Sequence, residues 1–154
     1  MPCKCAIAAA VAGPDDKAVP SCVVVDDHQE VLDSVVACLR AEGIDVIGSA
    51  RAAAEATRLL SAMKPDVAIL DHRLPDSSGI EIARALSVAS PATAPILYSG
   101  AATRALVAEA LAAGVRAVVL KESSPAVLLR AIASVVDGRR FIDPQLRRRP
   151  GTSE

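Results

Sequence analysis

The sequence predicts an α/β domain built on a doubly wound parallel sheet, and two observations lead to this fold class. Five short apolar runs without polar alternation occur along the chain, as expected for strands that are buried on both faces. Each run is followed by a segment whose apolar residues recur at helical spacing, so predicted strands and helices alternate strictly. Parallel strands that are joined in this way cross over with right-handed connections.

The elements follow one another at regular intervals. The predicted strands lie at 23–25, 46–47, 67–70, 96–99 and 117–120, and the apolar positions of the predicted helices lie at 31–39, 56–63, 82–86, 106–111 and 128–136. Stop signals come after four of the helices, at Gly43, Pro65, Gly114 and Gly138. Ser124 and Pro125 form an N-cap and first-turn pair for the last helix.

Composition favours a single layered domain. A chain of 154 residues that is 52% hydrophobic can bury a substantial core, and with only Tyr98 and Phe141 as aromatic residues that core must be aliphatic. A net charge of -1 argues against a whole-protein electrostatic footprint for nucleic acid or membrane. No metal-ligand spacing links the four cysteines, which favours idle thiols in a cytoplasmic protein: Cys3, Cys5, Cys22 and Cys38.

Residues 1–20 are predicted to form a disordered leader. Their apolar stretch from Cys5 to Gly13 is much shorter than the roughly 20 residues that a membrane-spanning helix needs. The stretch is mostly alanine with one lysine before it, which is a poor secretion signal. We therefore expect neither a membrane partner nor secretion.

Polar side chains follow four of the five predicted strands. The first strand ends in Asp26 and Asp27, the third in Asp71, the fourth in Ser99 and the fifth in Lys121. Because ligands of open α/β sheets bind beyond the carboxyl ends of the strands, we expect these side chains to share one rim. Three neighbouring carboxylates are costly unless a cation bridges them, and oxygen ligands at an open rim suit Mg²⁺.

Each of these residues also has an ordinary interpretation. A lone Asp27 or Ser99 after a strand is usually a helix cap, and a lone Lys121 is usually solvated. His28 and His72 are expected to be exposed, because neither has a metal-ligand partner at the right spacing. What favours function is the coincidence at successive strand ends, since a hydroxyl and an ammonium beside a carboxylate–cation site suit phosphoryl transfer.

This ordered set resembles the receiver domain of two-component response regulators. The likeness covers residues 21–138 and includes the acidic pair, the loop D-H-R-L-P-D-S-S-G that begins at Asp71, then Ser99 and Lys121. It implies a flavodoxin-like five-stranded sheet of order 2-1-3-4-5 with five helices. The chain then divides into a leader at 1–20, a receiver at 21–138 and a basic flexible tail at 139–154.

The resemblance also assigns roles. It implies that Asp71 is the phosphoacceptor for a histidine kinase or a phosphotransfer protein. The implied Mg²⁺ ligands are the side chains of Asp26 (mainly through water), Asp27 and Asp71 and the backbone carbonyl of Arg73. Ser99 and Lys121 are the implied contacts of the phosphoryl group. The output is then a protein–protein interaction with an unknown downstream protein, with a homodimer as one form of it, and the domain is regulatory rather than an enzyme.

The sequence departs from the family pattern near Lys121. Val118 stands where the family often has an aromatic residue, and it is too short to swing inward when Ser99 moves. Tyr98 is a poor substitute, because neighbouring residues of a strand point to opposite faces. We therefore expect a weaker switch, or one that works through helix packing and dimerisation.

The basic segment 139–154 is predicted to be a solvated tail, with Phe141 and Ile142 folding back on the last helix. It resembles the linker that precedes helix-turn-helix DNA-binding domains, yet the sequence ends at Glu154, so DNA binding is not expected from this chain.

Two other functions stay open. The chain is alternatively a receiver-like module that binds its partner without phosphorylation, which Val118 supports. A Mg²⁺-dependent phosphohydrolase is the other alternative, although the pair Asp26-Asp27 lacks the spacing of such enzymes, in which a second aspartate comes two residues after the nucleophile.

Overall fold

Residues 19–147 are described by a computed structural model. The strands are β1 Ser21–Val25, β2 Asp45–Ala50, β3 Val67–Asp71, β4 Ala94–Ser99, β5 Ala117–Leu120 and β6 Phe141–Ile142. The helices are α1 Gln29–Ala41, α2 Ala53–Met63, α3 Gly79–Ala89, α4 Arg104–Ala112, α5 Pro125–Val136 and α6 Pro144–Arg147. All strands are parallel and form one sheet of order β2-β1-β3-β4-β5-β6.

Both faces of the sheet are buried. One apolar cluster joins α1 and α5 to alternate strand residues such as Val24, Ile69 and Val119. The other joins α2, α3 and α4 to the intervening residues, among them Leu70 and Val118. Because both faces of each central strand meet helices, the strands carry apolar residues without alternation. The predicted doubly wound fold is confirmed.

The predicted order 2-1-3-4-5 is also confirmed, and β6 extends it at the edge. Phe141 pairs with Ala117 and Ile142 with Val118, and the amide of Phe141 donates to the carbonyl of Arg116 at 3.0 Å. The fold therefore continues beyond Gly138, where the predicted receiver ended. The two β6 residues adopt this conformation because each covers a different core, Phe141 towards α5 and Ile142 towards α4.

Phe141 folds back on the last long helix as predicted, with the guanidinium of Arg130 at 5.6 Å from its ring centroid. Ile142 does not, because it faces the opposite side of the sheet. Residues 1–18 and 148–154, to which the predicted leader and tail extend, lie outside the described residues.

Two helices, α3 and α4, begin with a side-chain N-cap. Ser78 and Thr103 cap α3 and α4, accepting from the amides of Glu81 at 3.2 Å and Leu106 at 3.1 Å. Ser124 occupies the N-cap of α5, ahead of Pro125. Within residues 19–147, no helix has the length and apolar character needed to cross a membrane.

Candidate functional site

An acidic cluster lies at the carboxyl rim of the sheet. Asp26 and Asp27 follow β1, Asp71 ends β3, and the two strands are paired neighbours. One ligand atom from each of these carboxylates, and one from the imidazole of His28, all lie within 4.8 Å of one another. Asp26 is 2% exposed and Asp71 7% exposed, so most of this negative charge is held out of solvent.

Local hydrogen bonds fix the acidic pair. The amide of Asp26 donates to the carbonyl of Ala50 at 3.0 Å, which ties the end of β1 to β2. Oδ1 of Asp26 accepts from the amide of His28 at 2.9 Å, and Nδ1 of His28 lies 3.0 Å from Oδ1 of Asp27. The turn into α1 therefore sets the direction of both carboxylates.

Lys121 supplies the positive charge of the site. Its Nζ lies 2.6 Å from Oδ2 of Asp26 and 3.2 Å from Oδ1 of Asp71. Burial by itself favours the neutral amine, but the hydrogen bond to Asp26 and the charge of Asp71 outweigh it and raise the pKa of Lys121. The side chain is therefore an ammonium ion that bridges the first and third strands.

The surroundings of Asp71 disfavour the charged form of its carboxyl group. Burial raises its pKa, the negative charges of Asp26 and Asp27 raise it further, and Lys121 opposes both effects. One ammonium ion thus leaves the negative charge of three carboxylates only partly compensated.

Ser99 and Arg73 lie at the same rim. A cleft of about 890 Å³ is lined by Asp27, Asp71, Arg73, Ser99 and Lys121, and the last of these pairs with the buried Asp26. The hydroxyl of Ser99 donates to the carbonyl of Ala101 at 2.7 Å and accepts from the same residue's amide at 3.3 Å. The structure therefore brings together the five side chains that the sequence placed at strand ends, and Arg73 with them.

The donor set fits a hard divalent cation. Oδ1 of Asp27 is buried with no hydrogen-bond partner, and Nδ1 of His28 lies 3.0 Å from it, so this oxygen is held at the cluster with a lone pair that a cation could use. Carboxylate oxygens with room for carbonyl and water ligands are the coordination that Mg²⁺ prefers. Asp26, Asp27 and Asp71 could hold such an ion. The imidazole of His28, 70% exposed as predicted, also lies within ligand distance, which sequence reasoning missed.

Comparison with known proteins identifies the family. The model of the response regulator receiver domain matches residues 22–133, which is most of the chain. The chain belongs to the response regulator receiver family. Receivers of this kind are regulatory components of two-component systems, and the predicted family is therefore confirmed.

Several relatives carry receivers similar to this one. The DNA-binding transcriptional activator DevR/DosR of Mycobacterium tuberculosis is 36% identical over 121 residues, covering 78% of this chain and 56% of its own. The solved receiver domain of the response regulator NarL of that organism is 34% identical, with a TM-score of 0.75, covering 79% of this chain and 98% of its own. The chain spans just over half the length of the curated relatives, 56% of DevR/DosR and 58% of NarL.

A second solved structure shows the same receiver fold. The two-component response regulator of the LuxR family from Aurantimonas superposes with a TM-score of 0.79 at 30% identity. The match covers 85% of this chain and 94% of that one. The flavodoxin-like sheet order is thus shared with known receivers.

Val118 distinguishes this receiver from the family pattern. It is fully buried in β5, in the cluster shared with α3 and α4. Tyr98 packs in the cluster on the other face of the sheet, as the alternation along β4 predicted. Neither residue therefore places an aromatic ring beside Ser99 on the α4 side.

The strand-end pattern also recurs at a place where sequence reasoning missed it. Asp143 follows β6 directly and is fully buried near the Lys121 loop. The signal was present, because Phe141-Ile142-Asp143 is an apolar run that ends in a carboxylate, as β1 and β3 do. The basic residues around it led instead to the prediction of a solvated tail.

Proposed function

We propose that this receiver accepts a phosphoryl group on Asp71, with Mg²⁺, from a histidine kinase or a phosphotransfer protein. The observation that carries the proposal is the position of the Asp71 carboxylate. It opens into the cleft with Nζ of Lys121 at 3.2 Å and with the acidic pair on its other side. This arrangement supports Asp71 as a nucleophile, because an ammonium group lies on hand to pair with the phosphoryl oxygens and the acidic pair can bind the cation that phosphoryl transfer requires.

In the proposed reaction an oxygen of Asp71 attacks the phosphorus atom of a phosphohistidine in line. A P–O bond forms, the P–N bond breaks, and the imidazole nitrogen leaves with the electron pair. The raised pKa of Asp71 supports its role, because a poorly solvated carboxylate is a better nucleophile than a fully hydrated one. Asp26 (mainly through water), Asp27, Asp71 and the Arg73 carbonyl would hold Mg²⁺, which would supply positive charge to the phosphoryl oxygens.

Lys121 and Ser99 are the proposed contacts of the transferred group. The ammonium of Lys121 already lies beside Asp71 and can pair with a phosphoryl oxygen. The hydroxyl of Ser99 must first leave the carbonyl of Ala101, to which it now donates. We infer that this exchange moves the segment between β4 and α4 and so alters the surface that a partner recognises.

The proposed partners are the phosphodonor and a downstream protein, which includes a second copy of this chain as one form of output. Phosphodonor kinases draw on ATP, so the proposed location is the cytoplasm. DevR/DosR is a DNA-binding transcriptional activator. For the present chain we propose signalling through protein contacts.

Phosphorylation is tested with acetyl phosphate and Mg²⁺, followed by intact-mass spectrometry. We expect one added phosphoryl group in the wild type, none in Asp71→Asn, and wild-type behaviour in Asp45→Asn, which removes an exposed carboxylate at the opposite end of β2. Equal labelling of wild type and Asp71→Asn would contradict the assignment of the phosphoacceptor.

Phosphorylation-independent binding is the second candidate, favoured by the buried Val118 in place of an aromatic residue. A pull-down with wild type and Asp71→Asn, each with and without acetyl phosphate, separates the two. Partner capture that depends on the donor and on Asp71 supports the phosphoacceptor, whereas equal capture in all four arms supports the second candidate. Repeated turnover of a small phosphate ester would instead favour a phosphohydrolase.

A further inference from the structure

Asp143 is a buried carboxylate outside the acidic cluster. It is 0% exposed, and within residues 19–147 no lysine, arginine or histidine lies within ion-pair distance of it. Oδ2 accepts from the amide of Leu120 at 2.9 Å and from the hydroxyl of Ser123, and Oδ1 accepts from the amide of Gln145 at 2.9 Å. These bonds replace the water that the carboxylate has lost.

The bonds of Asp143 bracket Lys121. Leu120 precedes Lys121 directly, and Ser123 comes two residues later. On the opposite side of the strand, the amide of Lys121 donates to the carbonyl of Ser99 at 2.8 Å. The backbone of Lys121 is thus held between β4 and Asp143, and this fixes the point from which its side chain reaches Asp26 and Asp71.

Asp143 also anchors the segment 141–147 to the sheet. Its own amide donates to the carbonyl of Val118 at 2.9 Å, and its carbonyl accepts from the amide of Leu146 at 2.9 Å. Nε2 of Gln145 donates to the hydroxyl of Ser123 at 2.9 Å, which closes the network. One residue therefore joins the Lys121 loop to the last strand and helix of the described chain.

We propose that Asp143 is a positioning residue that couples the phosphoryl site to the docking of residues 141–147 on β5. The docked segment holds Lys121 where it can pair with a phosphoryl oxygen, so docking strengthens phosphoryl binding. By thermodynamic reciprocity, an occupied phosphoryl site strengthens docking of the segment. The inference rests on the function proposed for Asp71, and it extends that function to the carboxyl-terminal segment.

The coupling is tested on the full chain with beryllofluoride and Mg²⁺, which together mimic the bound phosphoryl group. Isothermal titration of Asp143→Ala should show beryllofluoride affinity weakened about tenfold, and Asp143→Asn, which keeps the volume, should show a smaller loss. Mg²⁺ affinity should not fall, because Asp26, Asp27 and Asp71 are untouched and a displaced Lys121 competes less with the cation for Asp26 and Asp71. The control Asp137→Ala, at an exposed carboxylate just after α5, should bind beryllofluoride as the wild type does.

A double-mutant cycle distinguishes positioning from a general loss of structure. If Asp143 acts through Lys121, then Asp143→Asn has no further effect on beryllofluoride affinity in a Lys121→Ala background. A full, additive effect in that background would overturn the proposal.

Hydrogen exchange tests the reciprocal direction in the wild type. We expect beryllofluoride to slow amide exchange in residues 141–147, whereas unchanged exchange there would count against the coupling. If both Asp143 variants bind beryllofluoride as tightly as the wild type, the coupling is overturned and the function proposed for Asp71 is not. A wild type that binds no beryllofluoride would contradict the function proposed for Asp71 itself, so the two failures are distinguishable.

Discussion

The two sides of the cleft are anchored very differently. We call the ends of β1 and β3, the loop 72–78 and α3 the fixed wall, and the segment 100–103 with α4 the movable wall. Five residues of α3 are buried, which are Gly79, Ile80, Ile82, Ala83 and Leu86, whereas α4 buries Ala110 alone. The helix that follows the Asp71 loop is therefore packed far more firmly than the helix beside Ser99.

Hydrogen bonds show the same contrast. In the fixed wall, the carboxylate of Asp76 reaches across to cap α2, accepting from the amides of Ala53 at 2.7 Å and Ala54 at 3.0 Å. The amide of Gly79 donates to the carbonyl of His72 at 3.0 Å, which closes the loop after Asp71. In the movable wall, residues 100–103 make hydrogen bonds only to partners within 99–107.

The difference separates two tasks. Carboxylates that are to hold a cation gain from being fixed in advance, because no reorganisation is then needed when the ion binds. A segment that is to report phosphorylation must change position for a small free energy, and such segments have few buried contacts. We therefore expect the response to Asp71 phosphorylation to appear in α4 and not in α3.

The largest predicted effect tests the packing of the two helices. Ile82→Ala should lower the free energy of unfolding by about 3 kcal/mol, because Ile82 is 4% exposed and its removal leaves a cavity. The matched change Leu106→Ala, at a half-buried position of α4, should cost about 1 kcal/mol. Urea denaturation measures both free energies of unfolding. Equal losses of stability in the two variants would contradict the difference in packing between the two walls.

Two glycines sharpen the comparison. A Cβ at Gly79 would collide with the carbonyl oxygen of Asp71, whereas one at Gly100 meets nothing within 4 Å. Gly79→Ala should therefore cost about 2 kcal/mol and slow phosphorylation of Asp71, because the phosphoacceptor strand must shift. Gly100→Ala should change the stability by less than about 0.5 kcal/mol. Denaturant midpoints measure the stability, and acetyl phosphate labelling measures the phosphorylation of Asp71. If Gly79→Ala changes neither, the fixed wall can shift to accommodate the added methyl group.

The charge of the fixed wall should be visible in melting temperatures. The pKa of Asp71 is raised, so the native state binds its proton more tightly than the unfolded chain, and ionisation at neutral pH costs stability. Without metal, Asp71→Asn should melt a few degrees above wild type at pH 7. This advantage should shrink as the pH falls through the raised pKa of Asp71, and it should be gone below the ordinary carboxyl pKa, where Asp71 is protonated in both states.

Mg²⁺ should reverse that difference. At a hundredfold excess over the dissociation constant, a ligand of the native state adds about 2.7 kcal/mol of stability, and we expect this for the wild type only. A metal-free wild type that melts above Asp71→Asn, or a wild type that does not respond to Mg²⁺, would contradict the charge balance of the acidic cluster.

The smallest predicted effect concerns the cap on α2. Two backbone amides, of Ala53 and then Ala54, lower the pKa of Asp76. Its stabilising contribution is therefore fully present above the ordinary carboxyl pKa and is lost as the pH falls through the lowered one. Asp76→Ala should melt slightly below wild type at neutral pH, and the gap should close as the pH falls through the lowered pKa of Asp76. Asp45→Ala, which removes a carboxylate without a cap, should show a smaller gap.

Much of the fixed wall could be predicted because parallel strands end at one rim. A run of buried residues that stops in Asp26-Asp27 or Asp71 specifies both the strand and the direction in which its carboxylates leave the sheet. The positions of Ser99 and Lys121 could be predicted by the same reasoning. The contact between His28 and Asp27 could not be predicted, because it depends on the backbone angles of the turn into α1.

The last strand could not be predicted for a different reason. Two residues are too few to show a period, and the arginines around Phe141-Ile142 match the composition of a solvated tail. Only the tertiary structure shows that the pair fills the space beside β5 and that Asp143 replaces solvent at the end of that strand.

The two-residue length of β6 has a consequence for self-association. Every residue of β5 is fully buried, and β6 covers one side of its backbone. Pro144, which has no amide hydrogen, follows β6 within two residues. The outer edge of β6 is therefore too short to pair with a strand of another chain. Truncation ahead of Phe141 would uncover a four-residue apolar edge, and the protein would then be prone to fibrillar aggregation.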